Sequence, residues 1–339
     1  MAAARPEKPC IACLAVSEGG QRLAGQIAAA LGGTLIPQRS GLGALMPALW
    51  QEYDGLVCVM AAGIVVRLLA PLVTDKHHDP AVVVVDEAGS FAVSLLSGHL
   101  GGANDLARRV AKVTGGQAVI TTASDVLGHT ALDLWAREQN LVAEERQALT
   151  RASARLVNNG VLRIFSEVPV ASLPTDFVSV AEPAAADCIV SHRLGPWPDG
   201  ILMLRPRHLV VGIGCNRGTR CEQIAAALDE ACRSNGLSQL AIRNLASIDV
   251  KADEAGLLAF AQERGLSIDF CSKDELNRVA GIRPSDAVLR ATGAQAVAEP
   301  AALLSSTADN LLVRKMQWKD VTMAVAAAPC TLSAPAPAA

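Results

Sequence analysis

The sequence predicts an α/β protein, and two observations support that prediction. Hydrophobic residues make up 51% of the 339 residues and aromatic residues only 3%, so the core must consist mainly of aliphatic side chains. Short continuous apolar runs such as 81–85 alternate with longer stretches of helical periodicity, which is typical of buried parallel strands covered by helices. The length suits two or three compact domains.

The N-terminal segment, residues 1–139, is predicted to be a Rossmann-like α/β domain. Its apolar runs are expected to be strands of a largely parallel sheet, because helical stretches separate most of them. The third and fourth runs are the exception, since Gly89 and Ser90 between them are turn-forming residues that favour a hairpin. The predicted strands lie at 11–16, 55–60, 81–85, 91–96 and 118–122.

The remaining residues are predicted to form two further domains and a tail. Residues 140–207 are interrupted by several prolines and are expected to be a small middle domain. The α/β pattern restarts in residues 208–328, which predicts a separate α/β C-terminal domain. Residues 329–339 are rich in Ala and Pro and are expected to be a disordered tail.

Composition and charge exclude several classes of function. The net charge is −3, from 30 basic and 33 acidic residues without a basic block, so nucleic acid is not an expected partner. The most apolar stretch, 55–66, is shorter than the ~20 residues that cross a bilayer. The nine Cys residues lack the spacing of a disulfide scaffold, and the N-terminus does not resemble a signal peptide. We therefore expect a cytoplasmic protein without a membrane partner.

The sharpest motif is Ser-Gly-His-Leu-Gly-Gly-Ala-Asn, from Ser97 to Asn104, between a predicted strand and a predicted helix. His99 is a candidate general base because imidazole titrates near neutral pH. Gly101 and Gly102 let a ligand approach the backbone, and the N–H groups that open the helix suit a carboxylate or a developing oxyanion. The alternative is a tight turn in which the glycines serve the backbone and His99 packs.

Hydroxyl and carboxyl groups follow two other predicted strands. Thr121, Thr122 and Asp125 come after the fifth strand, and Asp86 ends the third. The carboxyl ends of parallel strands line the usual ligand crevice of such sheets. The alternative for the group after the fifth strand is a helix N-cap formed by Ser124 or Asp125.

Cationic side chains are candidates for binding a substrate rich in carboxylates, and Arg67 and Lys76 are the first two. The loop around Lys76 also contains the adjacent His77 and His78. Neighbouring residues of a strand point to opposite faces, so a dedicated metal site is not predicted there.

The junction from Gly212 to Thr219 has a loose dinucleotide-like glycine spacing. The acidic residue expected about 20 residues later is missing, so a nicotinamide site is a weak interpretation and an anion-binding loop containing Arg217 is the better one.

Seven segments carry a resemblance to a known family, namely 60–67, 79–86, 97–104, 120–125, 212–215, 247–251 and 298–303. Together they resemble the cobalt-precorrin-5A hydrolase (CbiG) family of cobalamin biosynthesis. The last three segments resemble the C-terminal domain of the family, which also occurs alone. Family sequences often carry Thr where this chain has Ala62 and Ser124.

The resemblance implies opening of the ring A δ-lactone of cobalt-precorrin-5A, with release of acetaldehyde and formation of cobalt-precorrin-5B. Cobalt is carried by the substrate, so no cofactor and no resident metal are expected. The chemistry requires an activated water and a stabilised lactone oxyanion. A carbon–carbon bond must then break, with the macrocycle accepting the electrons. The partner is the cobalt-corrinoid substrate, and pathway methyltransferases are further candidates.

On this hypothesis each candidate residue has a role. His99 is the base, the N–H groups near Gly101 and Gly102 are oxyanion donors, and Asp86 or Asp125 orients the base. Binding of the substrate, including its acetate and propionate groups, is assigned to Arg67, Lys76, Asn104, Thr121, Thr122 and Arg217. Two other functions stay open: a non-catalytic corrinoid-binding or hand-over protein, and a nucleotide-dependent oxidoreductase.

Overall fold

The computed structural model describes residues 10–37, 41–74, 79–99 and 101–334. They form two compact units, one up to Leu134 and one from Trp135 onward. Among these residues, none of the helices combines the length and the apolar character required to cross a membrane.

The first unit contains a six-stranded sheet in the order β2-β1-β3-β4-β5-β6. The strands are β1 (Ile11–Ala15), β2 (Thr34–Leu35), β3 (Gly55–Val59), β4 (Ala81–Val85), β5 (Phe91–Leu96) and β6 (Gln117–Val119). The helices are α1 (Glu18–Leu31), α2 (Leu42–Glu52), α3 (Ala62–Leu69), α4 (Ala103–Thr114), α5 (Ala123–Leu127) and α6 (Leu132–Glu138), and α6 continues into the second unit.

The predicted α/β class is confirmed, and so is the hairpin, because β4 pairs antiparallel with β5 whereas the other neighbours are parallel. The order begins 2-1-3-4, as in flavodoxin-like doubly wound sheets, rather than the 3-2-1-4 order of the Rossmann fold. Because β5 and β6 run opposite to β1, β3 and β4, their carboxyl ends lie at the edge where those three strands begin.

Continuous apolar strands arise because both faces of this sheet are covered. On β4, Val83 and Val85 pack in the core cluster that also contains residues of α1 and α4. Val82 and Val84 pack in a second cluster with residues of α2 and α3. A strand buried on both faces has no solvated side on which polar residues would alternate.

The second unit contains two five-stranded sheets, in the orders β7-β11-β10-β8-β9 and β14-β13-β12-β16-β15. The strands of the middle sheet are β7 (Leu141–Ala143), β8 (Leu162–Ser166), β9 (Phe177–Ser179), β10 (Cys188–Val190) and β11 (Leu202–Pro206), with α7 (Arg146–Asn159). The C-terminal sheet has β12 (Leu209–Cys215), β13 (Ile242–Ile248), β14 (Ile268–Cys271), β15 (Leu311–Gln317) and β16 (Val321–Ala327). Its helices are α8 (Cys221–Ser234), α9 (Ala255–Arg264), α10 (Lys273–Arg278), α11 (Asp286–Thr292) and α12 (Ala298–Ser306).

The expected disordered tail is wrong for residues 329–334. Leu332 is 1% exposed and forms a parallel bridge with Val170. The indole Nε1 of Trp135 donates to the Ser333 carbonyl at 2.9 Å. A single leucine within an Ala- and Pro-rich stretch thus supplies enough apolar surface, together with backbone hydrogen bonds, to order the segment. Residues 335–339 lie outside the described residues.

A buried carboxylate stabilises the middle sheet. Asp187 is 4% exposed and accepts hydrogen bonds from Arg163 Nε at 2.9 Å and Arg155 NH1 at 2.7 Å. The hydrogen bond from the Arg163 guanidinium is the main cause that lowers the pKa of Asp187 to about 2. In the unfolded chain the pKa of an aspartate is about 3.9. This carboxylate therefore stabilises the fold above that pH, and the contribution is lost as pH falls towards 2.

We expect Asp187→Ala to lower the free energy of unfolding by about 2 kcal/mol at pH 7. The difference from the parent should shrink as the pH is lowered from 4 to 2, which urea unfolding monitored by circular dichroism can measure. Asp253→Ala is the matched control, because it removes an exposed partner of Arg217 and should change the stability little. A pH-independent loss at Asp187 would contradict the assignment.

Candidate active site

His99 lies in a cluster of polar side chains in the first unit. Its Nε2 is 2.8 Å from Asp125 Oδ2 and 3.1 Å from Ser124 Oγ, and its Nδ1 is 3.6 Å from Asp133 Oδ1. The side chains of His99, Asp125 and Asp133 are 17%, 20% and 17% exposed. The imidazole is therefore held between two carboxylates and remains accessible from solvent.

Strand direction explains how these residues meet. Because β6 runs parallel to β5, both strands end at the same edge of the sheet, and α5 follows β6 there with Ser124 and Asp125. At the end of β5, Ser97 adopts a left-handed φ of 57° and its Oγ donates to the Asp79 carbonyl at 3.0 Å. A Cβ at Gly101 would lie 2.4 Å from Ser97 Cβ, so the turn needs glycine there.

Helix α4 holds Asp125 in place. Asn104 Nδ2 donates to Asp125 Oδ2 at 2.9 Å and to Thr122 Oγ1 at 3.0 Å, and Asn104 Oδ1 accepts from Ser94 Oγ at 2.7 Å. Arg108, one turn further along α4, donates to Asp125 Oδ1 at 2.6 Å. Asn104, expected to bind substrate, is buried and positions the carboxylate.

The charge of Asp125 decides the tautomer of His99. Burial alone would raise the pKa of Asp125, but hydrogen bonds from Arg108 and His99 outweigh it and lower the pKa below its ordinary value. An ionised carboxylate only accepts hydrogen bonds, so His99 Nε2 carries the proton and its N–H donates a hydrogen bond to Asp125. The lone pair is consequently on Nδ1, which is the nitrogen able to take a proton.

Asp133 completes this arrangement on the other side of the ring. At 3.6 Å the contact between Nδ1 and Asp133 Oδ1 is too long for a hydrogen bond, so it does not occupy the lone pair. Once Nδ1 is protonated, the nearby carboxylate stabilises the imidazolium. The arrangement therefore suits general-base catalysis.

The expectation that Asp86 orients His99 is not met. Asp86 Oδ1 accepts the Phe91 N–H at 2.6 Å within the β4–β5 turn, and the residue lines an apolar groove of about 590 Å³. The six residues of β5 separate that turn from the His99 loop. At about 3.4 Å per residue the separation is roughly 20 Å. Because β5 and β6 run antiparallel to β4, Asp86 at the end of β4 and Asp125 after β6 lie at opposite edges of the sheet.

Of the three predicted cations, Arg67 is the one that the structure describes in the same unit as His99, and its guanidinium is bonded within its own helix rather than to this cluster. Arg67 is on α3, and its NH1 donates to the Gly63 carbonyl of the same helix at 2.8 Å. Arg217 belongs to the second unit, where it pairs with Asp253 at 2.6 Å. Lys76 lies outside the described residues.

One of the two expected oxyanion donors is already used. The Gly102 N–H donates to the His99 carbonyl at 2.9 Å, because Gly102 closes the turn with a φ of 87°. The Gly101 N–H has no hydrogen-bond partner among the described residues, and Gly101 is exposed. Thr121 is exposed at the same sheet edge, and Thr122 accepts from Asn104. Gly101 is therefore the donor that remains.

Arg108 and Asp133 belong to this site, but they were not predicted from the sequence. Arg108 follows Asn104 by four residues on a predicted helix, so the two side chains lie on one face of that helix. This spacing could have indicated that Arg108 belongs to the site. Asp133 had no such signal, because its approach to His99 depends on the path of the chain after α5. Within the described part of the chain, no group of three or more His, Cys, Asp and Glu side chains could hold a metal.

Comparisons with known proteins address the identity of the chain. The family described as "Cobalamin synthesis G N-terminal" matches residues 44–125, and "Cobalamin synthesis G C-terminus" matches residues 209–326. The cobalt-precorrin-5A hydrolase of Priestia megaterium is 38% identical over 305 residues, which cover 84% of this chain and 81% of that protein. This chain belongs to the cobalt-precorrin-5A hydrolase (CbiG) family.

Other relatives agree with membership of the CbiG family and confirm the resemblance noted in the sequence. The cobalt-precorrin-5A hydrolase of Salmonella typhimurium is 32% identical over 349 residues, covering 96% of this chain and 99% of that protein. Protein CobE of a Sinorhizobium species is 35% identical over 129 residues, covering 37% of this chain and 83% of that protein. The N-terminal family match ends at Asp125, so it includes His99 and the carboxylate that orients it.

The nicotinamide interpretation of the glycines on β12 has a structural alternative in this CbiG-family chain. A Cβ at Gly212 would lie 1.9 Å from the Ala298 carbonyl oxygen, so this glycine allows α12 to pack against β12. Close packing of a helix on the strand, rather than approach of a phosphate, accounts for Gly212.

Proposed function

We propose that this chain is a cobalt-precorrin-5A hydrolase, which opens the ring A δ-lactone and releases acetaldehyde to give cobalt-precorrin-5B. The structural observation that supports this proposal is the arrangement of His99, whose Nε2 is hydrogen-bonded to Asp125 while its Nδ1 keeps a free lone pair. Membership of the CbiG family supports the substrate. A cytoplasmic location, the lack of a resident cofactor, and transfer of substrate from pathway methyltransferases stay predictions.

In the first step His99 Nδ1 takes a proton from water, and the hydroxide adds to the lactone carbonyl. The Gly101 N–H is the donor available for the developing oxyanion. Collapse of the tetrahedral intermediate breaks the ring C–O bond, and the alkoxide that leaves receives the proton from the imidazolium. The products are an alcohol and a carboxylic acid, which ionises by releasing its proton to water, and no covalent enzyme intermediate is required.

In the second step the new alcohol loses its proton to His99 and becomes acetaldehyde. The bond between the two-carbon unit and the macrocycle breaks, and its electron pair passes to the macrocycle. The imidazolium then releases its proton to water, which restores the neutral base. One base with a fixed tautomer thus serves both steps. Asp125 and Asp133 stabilise the imidazolium formed each time.

The direct test is anaerobic incubation of the purified full-length protein with cobalt-precorrin-5A. We expect acetaldehyde in a trapping reagent and a corrinoid product whose mass has lost the two-carbon unit. Tight corrinoid binding without acetaldehyde would overturn the hydrolase proposal in favour of a hand-over protein.

Asp125→Asn is expected to lower kcat by about 10²-fold, because an amide does not impose the Nε2–H tautomer on His99. The pH dependence of kcat should change as well, since the carboxylate that stabilises the imidazolium is lost. Asp86→Asn is the matched control, because it replaces an acid of the same unit at the opposite sheet edge and keeps an acceptor for the Phe91 N–H. Equal losses in the two variants would contradict a positioning role for Asp125.

A further inference from the structure

A second cavity lies in the C-terminal sheet of the second unit, with a volume of about 300 Å³. It opens at the carboxyl ends of β12 and β13, which are parallel. Helix α11 and the turn between β15 and β16 complete its walls. The carboxyl ends of parallel strands are the usual ligand crevice in sheets of this kind. His99 belongs to the other unit, and none of the residues bonded to it lines this cavity.

The inner wall of the cavity consists of apolar side chains that are largely buried in the protein. Ile248 and Val297 line it and are 1% and 6% exposed. Trp318 lines it from the turn, and its Nε1 donates to Glu230 Oε2 at 2.8 Å. The cavity therefore offers a hydrophobic surface to a ligand that enters it.

Three lysines, Lys251, Lys315 and Lys319, make the lining cationic. Lys251 is 8% exposed, and its Nζ donates to Glu254 Oε2 at 3.0 Å. An ammonium group has three donors, so further donors remain for a ligand. Lys315 and Lys319 are exposed and form no ion pair with any residue that the structure describes.

The lining has little negative charge to offset these lysines. Asp320 is its acidic residue, and its carboxylate already accepts from Asn216 Nδ2 at 3.0 Å. The Cys215 thiol also lines the cavity, and burial raises its pKa, so it remains neutral. A positive rim around an apolar wall favours an anionic ligand that also has an apolar body.

We propose that this cavity binds the carboxylate-bearing edge of a ligand with an apolar frame. A volume of about 300 Å³ is at the lower end for ligand sites, so it holds an edge rather than a whole tetrapyrrole. That the frame is a corrin rests on the proposed function. The inference that the ligand has carboxylates and an apolar frame does not depend on the proposed function.

The test is calorimetric binding to the full-length protein with three probes. Cobyrinic acid carries carboxylates on a corrin, cobinamide carries amides in their place, and tricarballylate has carboxylates without an apolar frame. We expect cobyrinic acid to bind most tightly, with an affinity that falls as salt is added. If cobinamide bound as tightly as cobyrinic acid, the requirement for carboxylates would be overturned. If tricarballylate bound as tightly as cobyrinic acid, the requirement for an apolar frame would be overturned.

Variants locate the binding in the cavity. The double variant Lys315→Ala with Lys319→Ala should weaken binding of cobyrinic acid about tenfold, since each partly solvated charge contributes a few-fold. Arg314→Ala is the matched control, because it removes a positive charge from the same strand outside the lining. Ala291→Trp, on the exposed side of α11, should fill the cavity and lower the binding stoichiometry.

Unchanged binding in the double variant and in Ala291→Trp would overturn the proposal. Acetaldehyde release is measured separately, which distinguishes the two proposals. Absence of acetaldehyde from the parent protein, with tenfold weaker binding in the lysine variant, would overturn the hydrolase function and support the cavity as a carboxylate site.

Discussion

His99→Ala is expected to lower kcat for acetaldehyde release by at least ~10²-fold, with the affinity for substrate little changed. The imidazole is the group whose lone pair accepts a proton in both proposed steps. Alanine leaves Asp125 and Asp133 without the cation that they stabilise. The measurement is single-turnover release of acetaldehyde, followed at several pH values, together with substrate binding by calorimetry.

Two controls separate chemistry from folding in this variant. Circular dichroism should show an intact fold, because His99 lies in a loop at the sheet edge and is not part of the apolar core. Added imidazole should restore part of the rate of His99→Ala, since a free base can enter the space that the side chain leaves. A variant with near parental turnover would remove His99 from the mechanism.

Gly212→Ala is expected to destabilise the C-terminal sheet by about 3 kcal/mol or more. The added Cβ would lie 1.9 Å from the Ala298 carbonyl oxygen and 2.8 Å from the Ala302 backbone nitrogen. Both are backbone atoms of α12, which packs against β12 and is largely buried, so no flexible side chain can move aside. The helix would have to shift from the strand.

Thermal and urea unfolding measure this effect, with Gly43→Ala as the control. Gly43 is exposed on α2, and its Cβ would lie 3.8 Å from Leu68 Cδ2, an ordinary contact. Alanine is a better helix former, so this control should gain about 0.5–1 kcal/mol. If Gly212→Ala were as stable as the parent protein, close packing of α12 would not be the reason for this glycine.

The buried strands could be predicted because their signal is local. Ala81–Val85 reads as a strand from its own residues, and Gly89 with Ser90 marks the turn that follows. The same hairpin reverses β5, and that reversal separates Asp86 from His99. The turn could be recognised from the sequence. Its consequence, that Asp86 lies far from His99, could be derived only once the strand order was known as well.

The candidate site was only partly predictable for a related reason. His99 and Asp125 stand out as polar residues at the ends of predicted strands, and the structure places them 2.8 Å apart. Asp133 and Leu332 have no pattern around them that indicates a contact, yet one faces the imidazole and the other is buried beside Val170. Such contacts depend on where distant segments of the chain pass.

The sequence by itself determined the α/β class, the hairpin, the turn containing His99 and the resemblance to the CbiG family, because each rests on neighbouring residues or on a local motif. Only the tertiary structure decided that Asp125 rather than Asp86 orients the imidazole, and that the Gly102 N–H is used within its own turn. The physical reason is that a side chain's partners follow from strand direction and order, which are properties of the whole sheet.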